Sequence, residues 1–226
     1  MWTRTELKEK AKLAMAKPNY WISVLAGVVL SIFAGGAGGR SGASSSKSYS
    51  SDGGFSGVWV MATIFAVLLA VTIAIVLKVI VGNALIIGAH KIFLDNELDP
   101  DPRAYSKIVF VFSHGYWKNV AITMFLKDLF VALWSLLLIV PGIIKAYEYK
   151  MVPYLLVENP EMPYQDALAR SKEMMDGQKW NAFVLDLSFL GWFILEALTL
   201  GVLGLFYVNP YYYQTQAELY LALKNN

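Results

Sequence analysis

At 226 residues, with 57% hydrophobic and 16% charged side chains and a mean hydropathy of +0.48, the chain is far more apolar than a soluble domain of this size. It has no cysteine, which excludes a disulfide framework and a thiolate metal site, and its 2 histidines exclude a histidine-rich one. The net charge of +2 carries no message by itself, and no nucleic-acid surface is visible. The composition predicts an all-α polytopic membrane protein forming a single membrane domain over residues 1–226.

The first element, the arm of residues 1–19, reads as an amphipathic helix. Thr3 and Glu6 make a capping-box pattern, Leu7, Ala11, Ala14 and Met15 fall on one face, and lysines fill much of the rest. Such a helix is expected to lie on an anionic inner leaflet, with Pro18 marking the change of direction. A cleaved leader competes for this region, but a long helical arm ahead of the apolar stretch argues against it.

Six membrane-length segments follow: Tyr20–Gly38, Val58–Leu77, Lys118–Val140, Ile143–Val157, Lys179–Leu200 and Val202–Leu223. Val79–Phe93 is expected to be an interfacial or inward-folded extension rather than a crossing. Residues 35–57 hold eight glycines and eight serines, a composition that builds no core and predicts a flexible outer tether. Residues 78–117 and 158–178 are read as cytoplasmic connections. On this arrangement fourteen Lys and Arg fall inside and only Arg40 and Lys47 outside, which places both termini in the cytoplasm.

The stretch Phe125–Leu156 carries Lys127, Asp128, Lys145, Glu148 and Lys150 in an otherwise apolar pair of spans. Each ionisable group at bilayer depth costs about 2.5–3.5 kcal/mol on insertion scales, so these must pair, reach the headgroups or line a wet cavity. Counted along ideal helices, Asp128 lies about 15 Å in from Lys118 and Lys150 about 14 Å in from Pro141, so the two are expected to pair. Lys145 and Glu148 share a helical face and are expected to pair locally. Asp186, Glu196 and Glu218 then leave acids in surplus, with Asp186, beside Ser188, the better site candidate. Tyr211 belongs to a tyrosine cluster around Asn209-Pro210 that reads either as an interface belt or as the lining of a broken helix.

The candidate ligand-binding residues are therefore Asp128, Lys150, Glu148, Lys127, Asp186 and Tyr211. No catalytic residue, metal ligand or cofactor is expected. The expected partners are the lipid bilayer and either a small polar or lipid-like ligand or another membrane protein. Two functional readings stand open: binding or translocation through a charged intramembrane site, and a non-catalytic scaffold or accessory subunit whose charges hold its spans together.

A Gly or Pro break followed by Trp and Asn recurs at three span entrances: Lys17-Pro18-Asn19-Tyr20-Trp21, Gly115-Tyr116-Trp117-Lys118-Asn119 and Gly177-Gln178-Lys179-Trp180-Asn181. Each follows a candidate surface helix. Every returning span also carries a breaker, at Gly82-Asn83, Pro153-Tyr154 and Asn209-Pro210-Tyr211. Pro153 and Pro210 free the carbonyls of Tyr149 and Phe206. The pattern predicts three repeated units, each a surface helix plus a helical hairpin, around an axis along the membrane normal.

From Trp117 onward the chain resembles a bacterial membrane family, domain of unknown function 975. The likeness rests on Leu133-Trp134-Ser135, Val140-Pro141-Gly142-Ile143-Ile144-Lys145-Ala146-Tyr147, Met151-Val152-Pro153-Tyr154 and Glu158-Asn159-Pro160. It continues through Ser171, Met174-Met175-Asp176-Gly177, Leu187-Ser188-Phe189-Leu190-Gly191-Trp192, Asn209-Pro210-Tyr211 and Ala217-Glu218-Leu219-Tyr220. The resemblance implies a multi-pass protein of a bacterial plasma membrane, mostly Gram-positive, and brings no catalytic role. The chain is also distantly similar to membrane domains of glycerophosphodiester phosphodiesterases, whose catalytic barrel it lacks.

Overall fold

A computed structural model describes residues 2–15, 20–33, 57–98, 104–113 and 115–225, and among them all regular structure is helical. The Gly/Ser segment up to Ser56, the first entrance motif at residues 17–19, and His114 lie outside the described residues. Helix α1 (Arg4–Met15) is followed by α2 (Tyr20–Phe33) and α3 (Gly57–Leu77). Helix α3 continues through a π turn, Lys78–Gly82, into α4 (Asn83–Leu98). A 3-10 turn (Ala104–Val109) and α5 (Phe110–Ser113) lead to α6 (Trp117–Leu137), which folds back as α7 (Ile139–Glu148) and α8 (Val152–Glu158). Helix α9 (Tyr164–Met174) precedes α10 (Lys179–Leu187) and α11 (Leu190–Leu198), and a second π turn, Gly204–Val208, runs into α12 (Asn209–Lys224).

Three helical stretches among the described residues are long and apolar enough to cross a membrane: Lys78–Asn96, Trp117–Leu137 and Lys179–Leu198. The first corrects the expectation for Val79–Phe93. Of the two expected placements the inward-folded one holds, but the segment is long enough to cross: it is a mostly buried helix through the middle of the protein. The expected fourth span is two helices, because the chain turns at residues 149–151 and Pro153 then sits in the first turn of α8, where its missing N–H costs nothing. In the expected sixth span the chain enters α12 through the π turn. The Phe206 carbonyl, four residues before Pro210, instead takes a hydrogen bond from the Tyr20 hydroxyl.

The core forms where α4, α8 and α12 meet. His90 packs edge-on against Tyr154 at 4.8 Å, Tyr154 stacks on Tyr220 at 5.2 Å, and Phe93 lies 5.9 Å from Tyr213. Helix α12 is buried along most of its length although it carries Gln214, Thr215, Gln216 and Glu218. Buried polar groups demand partners. Gln214 donates to the Phe93 carbonyl at 3.2 Å, and the Thr215 hydroxyl donates back to the Tyr211 carbonyl at 2.8 Å. Polar bonding thus fixes how α12 sits against its neighbours.

The shorter helices close around this centre. The Glu6 backbone N–H donates to Thr3 Oγ1 at 3.3 Å, which caps α1 as the capping-box pattern requires. Its apolar stripe, Leu7, Ala11, Ala14 and Met15, is buried against α12 rather than laid on lipid, which corrects the expected placement of that face. Burying a side chain such as Leu7 or Met15 contributes about 1.5–3 kcal/mol, and no bilayer is needed to supply it. Asn96 on α4 donates to the Ala14 carbonyl at 3.1 Å. The 3-10 turn and α5 cover α4, where Gly88 lets the backbone of Ile108 approach: a Cβ there would lie 2.0 Å from the Ile108 carbonyl oxygen. Helix α9 covers α8 and the inner half of α6.

Two tight hairpins point away from this body. The legs α6 and α7 meet where Gly142 faces Ser135, whose Cα would sit 2.6 Å from an added Cβ. The extended residue Leu138 makes the turn. The legs of the second, α11 and the segment beginning at Val202, meet at Gly204, with Leu200 and Gly201 at positive φ forming its apex.

Candidate functional site

The hairpin bases gather the ionised groups predicted from the sequence, but pair them differently. Glu148, at the end of α7 and 5% exposed, accepts from Lys145 at 2.6 Å and from Lys179 at 2.7 Å. The first contact is the expected helical pair. The second comes from the first residue of α10, outside the hairpin. Behind it, the Ser171 hydroxyl donates to the Glu148 carbonyl at 2.7 Å and accepts from the Met151 N–H at 3.2 Å, so α9 holds the chain break in place.

Asp186 forms the second centre. Its Oδ2 accepts from Lys150 at 2.6 Å and from the Tyr147 hydroxyl at 2.9 Å. Its Oδ1 accepts from the Gln216 amide at 2.9 Å and the Tyr212 hydroxyl at 3.2 Å. Four donors saturate this carboxylate, one of them a cation. The expected Asp128–Lys150 pair is not made. Helix α7 ends at Glu148, and the turn at residues 149–151 carries Lys150 to α10 instead of letting it continue along α6. Asp128 lies 3.2 Å from Lys127 and 3.9 Å from Lys78, with its side chain 45% exposed.

Two lysines counted outside the spans, Lys78 and Lys179, also reach in, to Asp128 and Glu148. Tyr211 is the predicted residue that stays apart. Its ring is buried, 5.2 Å from Phe189, and it makes no contact with Asp186. Its neighbour Tyr212 does that work. Tyr147, Tyr212 and Gln216 were missed by sequence reasoning, although Tyr212 and Gln216 stand four apart on one helix beside the tyrosine cluster and so share a face.

Lys8 on α1 reaches the C-terminal end of α10. Its amine donates to the Ser188 carbonyl at 3.2 Å and lies 4.2 Å above the Phe189 ring. Partial burial and the positive charges of Arg4 and Lys12 lower its pKa below the ordinary lysine value. These cations line an open cleft of about 480 Å³ beside Ser188 and Tyr211. A larger cleft of about 690 Å³ lies away from the ion network, between the α8–α9 connection and the end of α12, with Leu155, Met162, Arg170 and Lys224 in its wall. Among the described residues no group of three His, Cys, Asp or Glu side chains is placed to hold a metal ion.

Residues 136–226 match the model of a family described as Protein of unknown function (DUF975). Over this segment, about two fifths of the chain, the protein is similar to that family. The segment holds α7 to α12, and so contains Glu148, Lys150, Asp186, Tyr147, Tyr212 and Gln216, while Lys127 and Asp128 precede it. Among curated proteins and solved structures nothing matches the chain, and the likeness to phosphodiesterase membrane domains is not shown.

Proposed function

We propose that the protein is a non-catalytic scaffold or accessory component of a bacterial plasma membrane, whose ion network locks helical hairpins together instead of carrying a solute. The observation that carries this reading is the saturation of Asp186 by four donors and the pairing of both oxygens of buried Glu148 with lysines. Glu148 pairs with Lys145 on its own helix and is joined to α10 through Lys179, and Asp186 joins α7 and the turn after it, α10 and α12 through four donors. A site that binds and releases a charged ligand needs groups with open coordination. Asp186 has none to spare, and the charge of Glu148 is already matched by two lysines.

The three-unit organisation is part of the proposal. Gly115 and Gly177 both take positive φ between a surface helix and a long helix, with open space where a Cβ would lie. Both π turns end at an asparagine, Asn83 and Asn209, on entry to the inner legs α4 and α12, and the third inner leg, α8, follows the break at residues 149–151. Each surface element packs on the inner leg of the preceding unit: α5 on α4, α9 on α8, and α1 on α12, which closes the ring. The lysine and arginine bias then puts both termini and all surface helices on the cytoplasmic side, from which the hairpins enter the bilayer.

A cycle of Glu148→Gln, Lys179→Met and the double variant tests the lock. Thermal melting is read alongside proton flux into liposomes loaded with a pH dye. The expected result is lower melting for each single variant, partial recovery in the double variant, and unchanged flux. Unchanged melting with altered flux in Glu148→Gln refutes the lock and favours a charged passage.

A further inference from the structure

The charged groups share a level, and that level fixes how far each hairpin reaches. Contact between Gly142 and Ser135 sets the register of α6 against α7 and brings Glu148 level with Asp128 and Leu129. Asp128 in turn lies 3.9 Å from Lys78, at the foot of α3. This level adjoins the polar surface of α9, where Ser171, bonded to the Glu148 carbonyl, is flanked by the exposed Arg170, Lys172 and Glu173. From this base α7 has 10 residues to its tip, a rise of about 15 Å, and Asp128 lies the same ten residues below Leu138. Helix α3 starts from the same base with 21 residues, about 31 Å, the full thickness of a hydrocarbon core. The second hairpin repeats the short reach. Its base is at Ser188, where Lys8 docks, and the 9 residues of α11 rise about 14 Å.

The chemistry of the tips agrees with the lengths. Between Leu129 and Ile144 there is no charged residue, and Ser135 is the one polar side chain. The apex is purely aliphatic, with Leu136 87% and Ile139 75% exposed. At the second apex Leu198, Leu200 and Val202 are exposed, while the nearby Glu196 lies against Gly204 between the two legs. A connection in the outer headgroups would set these side chains in water, at about 1.5–3 kcal/mol each for a fully exposed leucine or isoleucine. In acyl chains they cost nothing. Helix α3, whose whole length lies beyond the charged level while α6 has only ten residues between Asp128 and Leu138, has its described side chains exposed on every side, as expected where no other hairpin reaches high enough to cover it.

We infer that the α6–α7 and α11 hairpins end near the bilayer midplane, with the acyl chains of the cytoplasmic leaflet as the partner of their tips. The six crossings expected from the sequence become one crossing hairpin and two that dip. This rests on the membrane reading above. The absence of native cysteine allows single labels. Leu138→Cys and Leu200→Cys are made with Ser45→Cys, in the Gly/Ser segment expected outside, as the positive control. Val140→Cys and Val202→Cys replace any tip variant that fails to fold. On intact cells a membrane-impermeant maleimide is expected to label the control and neither tip. In vesicles, an environment-sensitive dye on each tip is expected to be quenched more by a nitroxide at mid-chain than by one near the glycerol. Labelling of the tips from outside, or stronger quenching by the shallow nitroxide, overturns the inference and leaves the membrane reading intact. Tip-to-tip disulfide formation without quenching by either lipid assigns the tips to a second copy and also overturns it. Tips that are quenched by neither lipid and react freely in water refute the membrane reading itself.

Discussion

Asp186 and Lys150 face each other at 2.6 Å, yet their removal should not be equivalent. In Lys150→Met, the carboxylate keeps the hydroxyls of Tyr147 and Tyr212 and the amide of Gln216. Hydrogen bonds to a charged group contribute about 1.5–3 kcal/mol each, so the remaining three hold most of its solvation, and the loss is expected at about 1–2 kcal/mol. In Asp186→Asn, the Lys150 ammonium loses its anion while only 16% of its side chain is exposed, and the three neutral donors lose a charged acceptor. Breaking a buried pair from one side costs about 3–5 kcal/mol, and the residual exposure of both partners points to the lower end, about 3 kcal/mol. At roughly 2–4 °C per kcal/mol for a chain of this size, Asp186→Asn should lower the melting temperature by about 6–12 °C and Lys150→Met by about one third to two thirds of that. Tryptophan fluorescence of protein in lipid nanodiscs reads both, and the double variant should lose less than the sum. If Lys150→Met costs as much as Asp186→Asn, the neutral donors do not solvate the carboxylate and the argument fails.

Three further outcomes follow from local geometry. Gly142→Ala pushes a Cβ to 2.6 Å from the Cα of Ser135 and should cost at least about 1–3 kcal/mol. Gly191→Ala, with nothing within 4 Å, should be close to neutral in the same melting assay. Gly115→Ala and Gly177→Ala meet open space but hold φ at +76° and +68°, so each should cost about 1–2 kcal/mol through the backbone alone, with asparagine milder than alanine at both. Lys12→Gln should raise the pKa of Lys8 towards its ordinary value, read by NMR of isotope-labelled lysine side chains, and no movement would exclude the assigned coupling. Because the folded pKa lies below 10.5, protonated Lys8 opposes folding below that pKa, and the opposition fades as pH rises through it towards 10.5.

Much of this architecture was legible as pattern, and most of what was not concerns partners distant in sequence. The capped α1, the glycine turns before α6 and α10, and the breaks ahead of Asn83, Pro153 and Asn209 are local signals set by backbone chemistry, and they appear where the residues place them. The Lys145–Glu148 pair is local too. Asp186 was found because a carboxylate in an apolar run stands out. Its donors were not, because tyrosine and glutamine carry no such contrast. The Asp128–Lys150 pair failed because counting rise per residue assumed a helix running through residues 149–151. Hydrophobicity alone also failed to separate lipid from protein as the apolar partner: α1 and Lys78–Asn96 bury their faces in the core, whereas α3 turns the same kind of surface outward.

The packing of α1 on α12 also sets an order of assembly. Helix α1 presents Leu7, Ala11 and Met15 to a surface that does not exist until α12, about two hundred residues later, has been made. Helix α12, for its part, is too polar to enter a bilayer on hydrophobicity alone. Neither helix is complete without the other. Docking of α1 is therefore a late closing step, and a chain cut short before Asn209 would leave its apolar stripe uncovered.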